Sequence, residues 1–380
     1  MKKSKCQVLF SPKFIYTTFM AYRLLVFLAV IAVVFIYMFA TIKKSYVYKK
    51  TVLPTIAAQL STIPSPSRSP KIRSVFVPYW ADIDDVSSLK EFDRLFYFGI
   101  SPSENGLDET EKGYLALPTF ATATAPLRKK RYLVIRMIDD TATNLLTKKE
   151  TWETIRTASV EQAQKYHFDG IALDIEFQTL EGDAYKKRVN NFVGAFFEAS
   201  KRANIKLALI LYGDTIFRGR PLDVATLVES SDEVMIMAYN FHKTLGAPGP
   251  NFPFGRGEKY GYDFEKMTED FLYFIRPHKI TVIFGMFGYD WIVDSDKRPI
   301  KRATSLTLHQ IQEKFLTSCS WKNCVVKRDN LSRETEINYV DEVPRYHIVW
   351  FEDEKSAAEK TAFLEEKNIT STAFWAWGYY

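Results

Sequence analysis

The sequence predicts an α/β protein built as a (β/α)8 barrel, of the TIM type, and three observations carry that prediction. Eight short apolar, β-branched or aromatic runs alternate with longer stretches whose apolar residues recur at three and four spacing, the pattern of parallel strands joined by crossover helices. The region that holds them, residues 72–380, exceeds the about 250 residues such a barrel needs and has no second proline-rich break. Polar and aromatic residues gather at the C-terminal ends of the runs, where barrels of this kind place their chemistry.

The elements follow in chain order. Residues 1–23 form a basic leader with Lys2, Lys3, Lys5, Lys13 and Arg23, expected on the cytoplasmic side. Residues 24–42 are nineteen uncharged positions from Leu24 to Ile42, and a helix of that length spans roughly 28 Å, enough to cross a bilayer. No small-residue cleavage site ends the run, which stops at Tyr37, Met38 and Phe39 before Lys43 and Lys44. An uncleaved single-pass transmembrane anchor is therefore expected rather than a signal peptide, with the following domain outside the cell membrane. Residues 43–71 read as a Ser/Thr/Pro linker ending in Ile63-Pro64-Ser65-Pro66-Ser67-Arg68-Ser69-Pro70.

From there the predicted strands are Ser74–Tyr79, Arg94–Ile100, Tyr132–Ile138, Gly170–Glu176, Lys206–Tyr212, Glu233–Tyr239, Ile280–Phe287 and Thr372–Trp377. Helices are expected over Lys148–Tyr166, Ala184–Asn204 and Phe264–Ile275. The surplus over a minimal barrel lies between strands seven and eight, where residues 292–349 mix strand-like and helical pieces and read as a small α+β insertion.

Composition narrows the function. Apolar residues at 47% and charged residues at 25% exclude a disordered or collagen-like chain. A net charge of +6 without a basic block argues against nucleic acid and suits an envelope polymer of negative charge equally well. Aromatics at 15% suit a carbohydrate or aromatic-ligand cleft and a large core alike, so composition alone does not choose. The five histidines form no metal-binding pattern, so neither metal nor other cofactor is expected. Of three cysteines, Cys319 and Cys324 can close a small loop or remain two thiols. There is no glycine-rich phosphate loop and no Gly-x-Ser-x-Gly elbow.

The strand-end rule selects Tyr79 and Trp80, Asp174 and Glu176, Tyr212 and Asp214, Tyr239 and Asn240, Tyr289 to Trp291, and Trp375 to Trp377. Among these, Asp174 and Glu176 stand out. In Asp169-Gly170-Ile171-Ala172-Leu173-Asp174-Ile175-Glu176 the strand period of two puts Ala172, Asp174 and Glu176 on the inward face. Two acids that close disfavour each other's ionisation, which raises one pKa toward the range of a general acid. An Asp-x-Glu whose acids merely meet neighbouring basic side chains is the alternative.

These residues resemble glycoside hydrolase family 18, the chitinase-like barrels, whose fourth strand reads Asp-x-x-Asp-x-Asp-x-Glu; here the positions are Asp169, Ala172, Asp174 and Glu176. Met235-Ile236-Met237-Ala238-Tyr239-Asn240 resembles the family's sixth-strand Met-x-Tyr-Asp, and Trp375 stands at its eighth-strand Trp. Gly288-Tyr289-Asp290-Trp291 and Val349-Trp350-Phe351-Glu352-Asp353 are similar to the branch of bacterial spore-cortex and cell-wall N-acetylglucosaminidases.

The resemblance implies a glycosidase acting on an N-acetylglucosamine-containing polysaccharide by a substrate-assisted retaining route. It assigns catalysis to Glu176 as acid, Asp174 as stabiliser of the acetamido group and Tyr239 as its hydrogen-bond partner. The substrate-side candidates are Trp375 as apolar floor, Tyr79, Met237, Asn240 and Trp291, with Asp169 at the turn, where support of the strand's hydrogen bonds is its other task. Ala172 replaces an acid, Asn240 replaces the usual Asp, and Phe287 stands where the family has Tyr. A chitinase-like protein that binds glycan without cutting it is the competing expectation.

Overall fold

The computed structural model describes residues 70–138, 144–176, 182–255 and 259–380. The barrel strands are β1 (Ile72–Pro78), β2 (Arg94–Ile100), β3 (Lys130–Ile138), β4 (Gly170–Glu176), β5 (Lys206–Tyr212), β6 (Glu233–Ala238) and β7 (Ile280–Gly285). An antiparallel sheet follows, with β8 (Phe287–Val293), β9 (Thr304–Thr307), β10 (Lys322–Arg328), β11 (Thr335–Val340) and β12 (Tyr346–Phe351), before the eighth barrel strand, β13 (Ser371–Trp375). All eight barrel strands are parallel and close in the order β1-β13-β7-β6-β5-β4-β3-β2. Each expected run is a strand within about two residues of its expected ends, the seventh stopping at Gly285 before Phe287 opens the next sheet.

Two apolar layers explain why both faces of these strands are hydrophobic. Phe76, Phe96, Tyr132, Val134, Ala172, Ala208, Ile210 and Met235 fill the interior, where Phe96 stacks between Phe76 at 5.1 Å and Tyr132 at 4.6 Å. Ile171, Leu173 and Ile175 face outward into the layer under the helices. The expected period of two on β4 is therefore realised, with Ala172 and Asp174 inside.

The crossover helices include α1 (Lys112–Thr124), α2 (Lys149–Lys165), α3 (Asp183–Arg202), α4 (Val224–Glu229) and α5 (Phe264–Leu272). The starts of α4 and α5 are capped by Asp223 and Asp263, whose carboxylates accept from Thr226 N–H and Lys266 N–H. The N-terminal end of the barrel is plugged by Arg94, which forks onto Glu233 at 2.7 and 2.9 Å.

The insertion is larger than the expected 292–349. Its sheet runs β9-β8-β12-β11-β10 and spans Phe287–Phe351, with a short helix α6 (Leu308–Ile311) against one face. The seventh run, read as one strand to Phe287, is two. Met286 N–H still donates to Trp375 C=O, but Gly288 already pairs with Phe351. Both sheets bury their residues here, so hydrophobicity does not mark the change of sheet. Cys319 and Cys324 are joined in a disulfide that ties the segment before β10 to the strand's third residue. A last helix, α7 (Glu354–Glu366), begins with a capping box between Asp353 and Ser356.

The leader, the Leu24–Ile42 span and nearly all of the 43–71 linker lie outside the described residues. Among the described residues no helix is long and apolar enough to cross a membrane.

Candidate active site

At the C-terminal mouth of the barrel a cavity of about 320 Å³ is lined by Asp174 and Glu176 from β4, Tyr239 and Asn240 after β6, and Trp375 from β13. The insertion supplies Phe287 and Tyr289 from β8, with Ser305 and Thr307 from β9. Five of the nine residues expected at the site are thus brought together from three separate stretches of chain. A larger groove of about 600 Å³ runs beside α7 and β1, away from the carboxylate strand.

Asp174 is buried and its Oδ1 has no hydrogen-bond partner among the described residues. Directly below it on the inward face lies the methyl of Ala172, fully enclosed in the barrel core, so no polar neighbour is offered from that position. Burial pushes the Asp174 carboxyl well above the usual carboxylate range, the negative charge of Glu176 adds to this, and Arg136 opposes it. Arg136 stands beside Asp174 in the β3–β4 register. Its guanidinium also holds Ser101 Oγ at 2.5 Å and Glu111 at 3.0 Å.

Glu176 accepts a 2.5 Å hydrogen bond from the Tyr212 hydroxyl. Burial, then the Glu176 charge, keeps Tyr212 firmly protonated, and the same two causes plus Asp174 act on Tyr239. Trp375 meets Phe98 edge-on at 4.6 Å and Phe76 at 5.7 Å, which fixes the indole as one wall of the cavity. Asn240 adopts φ of 60°, a left-handed conformation that Asn tolerates better than most residues. Its N–H is held by Asn251 Oδ1 at 2.8 Å and its Oδ1 accepts from Tyr289 OH at 2.5 Å.

Four expected residues lie elsewhere. Asp169 braces the opposite rim, pairing with Lys130 at 2.6 Å and accepting Arg131 N–H at 2.9 Å. Tyr79 packs into the outer layer against the barrel wall, and its neighbour Trp80 turns toward Trp375 instead, 6.3 Å away. Met237 is buried in the apolar barrel interior beneath the cavity. Trp291 is fully enclosed within the insertion by Tyr289, Ile348 and Trp350, because the face of β8 that begins at the cavity with Phe287 and Tyr289 continues under the sheet.

Tyr212 and Tyr289 are strand-end residues that the sequence rule selects without giving them partners. Arg136 escapes that rule, though counting by twos from Tyr132 and Val134 along β3 places it on the inward face. Asp214 is neutralised, held by Arg218 at 2.5 Å and Arg220 at 2.7 Å. Among the described residues no group of His, Cys, Asp and Glu is arranged to hold a metal ion.

Comparison with known proteins agrees with this geometry. The profile of Glycosyl hydrolases family 18 matches residues 140–379. The chain is 23% identical over 245 residues to the "Uncharacterized glycosylase YvbX" of Bacillus subtilis (strain 168), covering 63% of this chain and 66% of that one. It is 24% identical over 225 residues to the "Cortical fragment-lytic enzyme" of the same organism, covering 58% of this chain and 48% of that one. The chain therefore spans from about half to just under two thirds of the length of these curated relatives. In fold it is similar to the Bacillus cereus spore cortex-lytic enzyme SleL, with a TM-score of 0.65, 20% identity, and coverage of 84% of this chain and 73% of that one. With the profile running from the end of β3 to the last residues of the barrel, the chain belongs to glycosyl hydrolases family 18.

Proposed function

We propose that the barrel is a retaining glycosidase that cuts beside N-acetylglucosamine in peptidoglycan or a chitin-like glycan. The observation that carries this reading is the convergence of Asp174, Glu176, Tyr239 and Trp375 on one sugar-sized cavity. Glu176 gives a proton to the glycosidic oxygen as the acetamido carbonyl oxygen of the substrate bonds to the anomeric carbon, and the leaving sugar departs with that proton. The product on the enzyme is a cyclic oxazolinium ion. Water then attacks the anomeric carbon from the opposite side and returns a proton to Glu176, so the configuration is retained.

Asp174 faces the nitrogen of that ring. In the empty cavity its burial favours the protonated form; an acetamido N–H placed against it, and then the positive charge of the oxazolinium, favour the carboxylate. The pair Asp174 and Glu176 carries one proton between them, which sits on Glu176 when substrate is bound. Tyr239 donates to the acetamido oxygen, and Trp375 lies under the sugar.

Glu176→Gln tests the reading. Turnover of N-acetylglucosamine oligomers and of peptidoglycan should fall by at least about 10²-fold, the share a positioned general acid supplies, with folding and glycan binding retained. Wild-type activity in that variant would remove the assignment. A second reading, binding without cleavage, is favoured by Ala172 and Asn240, both departures beside the carboxylates. It predicts glycan binding by the wild-type domain with no new reducing ends at any pH.

The proposal extends to location. The uncharged Leu24–Ile42 run behind a basic leader supports a single-pass anchor, and an envelope substrate requires the barrel to lie outside the cell membrane.

A further inference from the structure

The loops after β5 and β6 raise a cationic shoulder beside the carboxylates. Arg218, Arg220 and Lys243 share it with one acid, Asp214, which both arginines already hold. Lys243 has no ion-pair partner among the described residues. Its ammonium lies 5.4 Å from the centre of the Tyr212 ring, and the Arg220 guanidinium lies 4.0 Å from the same ring. Tyr212 in turn donates its hydroxyl to Glu176. A single aromatic side chain therefore separates a cation without an ion-pair partner among the described residues from the acid expected to cut the glycan.

A lysine on a loop ordinarily extends its ammonium into water. Lys243 is instead half-buried, and burial followed by the charge of Arg220 lowers its pKa. The arrangement is costly for the protein alone and favourable once an anion arrives, since a carboxylate next to a partly desolvated ammonium forms a charge-assisted hydrogen bond. Neutral chitin-like chains offer only hydroxyls and amides at that position.

Resting on the glycosidase reading, we propose that the cleft selects a carboxylate-bearing amino-sugar glycan of the peptidoglycan type, and that Lys243 receives a carboxylate of the sugar, or of its peptide, next to the bond that Glu176 cleaves. Lys243 is a specificity residue in this scheme. It acts on which glycan is held and takes no part in the proton transfers.

The test uses the full chain with two probes, soluble peptidoglycan fragments with free carboxylates and the same fragments with those carboxylates amidated. The wild type should show a higher kcat/KM for the free-acid form, with the preference weakening as salt is raised. In Lys243→Gln the ratio between the two forms should fall by about tenfold or more, and Lys243→Arg should restore most of it. Any effect of Lys243 on the Glu176 proton would act on both probes alike and cancel in the ratio. Equal use of the two forms by the wild type, or an unchanged ratio in Lys243→Gln, overturns the proposal and leaves the glycosidase reading standing. Calorimetric binding of both probes to Glu176→Gln gives the same preference without turnover, so failure of the glycosidase reading is seen separately.

Discussion

Asp174 is buried, with one carboxylate oxygen unpartnered among the described residues, over the methyl of Ala172. A carboxyl whose pKa is raised on folding binds its proton more tightly in the native state than in the unfolded chain. Its contribution to stability is complete below the ordinary carboxylate pKa and declines as pH rises toward the native value. Asp174→Asn does not titrate. The melting temperature of that variant, measured against wild type from pH 4 to pH 8, should therefore become progressively more favourable to the variant. By pH 8 the relative gain should be at least about 2 °C, the shift that 1 kcal/mol produces in a domain of this size, while activity is lost. A difference that stays flat with pH would mean that Asp174 is ionised as easily in the fold as outside it. At this scale the carboxylate pair was legible because a period of two needs no tertiary knowledge. Tyr79, Met237 and Trp291 were not, since position near a strand end does not tell whether a ring turns to the cavity, the helices or the adjoining sheet.

One buried ionic cluster organises several elements around the cavity. Lys360 of α7 is wholly enclosed, with Glu352 at 2.6 Å and Glu334 at 3.0 Å. Glu334 accepts the N–H groups of Asn251 and Phe252 at 2.5 and 2.8 Å. Asn251 in turn holds Asn240 N–H and donates to Gly285 C=O at 2.9 Å. A chain of contacts thus runs from α7 through the β10–β11 turn and the loop after β6 to Asn240 and Tyr289 at the cavity. Burial pushes Glu352 up to about 8 against the pull of Lys360, with Glu334 adding to the rise. Removing the cation leaves two acids enclosed, so Lys360→Met should cost about 3–5 kcal/mol in urea unfolding, whereas Glu334→Gln with Lys360→Met should cost less than the sum of the two changes. A Lys360→Met variant within 1 kcal/mol of wild type would show that this cluster does not hold the loop. The motif Val349-Trp350-Phe351-Glu352-Asp353 was visible in the sequence, but the partners of Glu352 were not. Glu334 lies in the insertion and Lys360 on the helix after it, and no periodicity links them.

For the molecule as a whole, the order of strands makes its two ends depend on each other. β1 pairs with β2 on one side and with β13 on the other, so residues 72–78 close the cylinder that residues 371–375 complete. The expected boundary at residue 72 is testable on this ground. Residues 72–380 should melt cooperatively within about 2 °C of the full chain, a difference below 1 kcal/mol, because what is removed includes no barrel strand. A chain beginning at residue 80 leaves β2 and β13 with unpaired edges and, by removing Phe76, uncovers Phe96, on which it stacks. It should therefore lose cooperative melting and aggregate. Comparison of the same proteins in cells tests the anchor independently: the full chain should sediment with membranes and be released only by detergent, while 72–380 stays in the supernatant. If the full chain is found there too, Leu24–Ile42 does not anchor it. If the chain from residue 80 melts as sharply as the one from residue 72, β1 is not needed for closure.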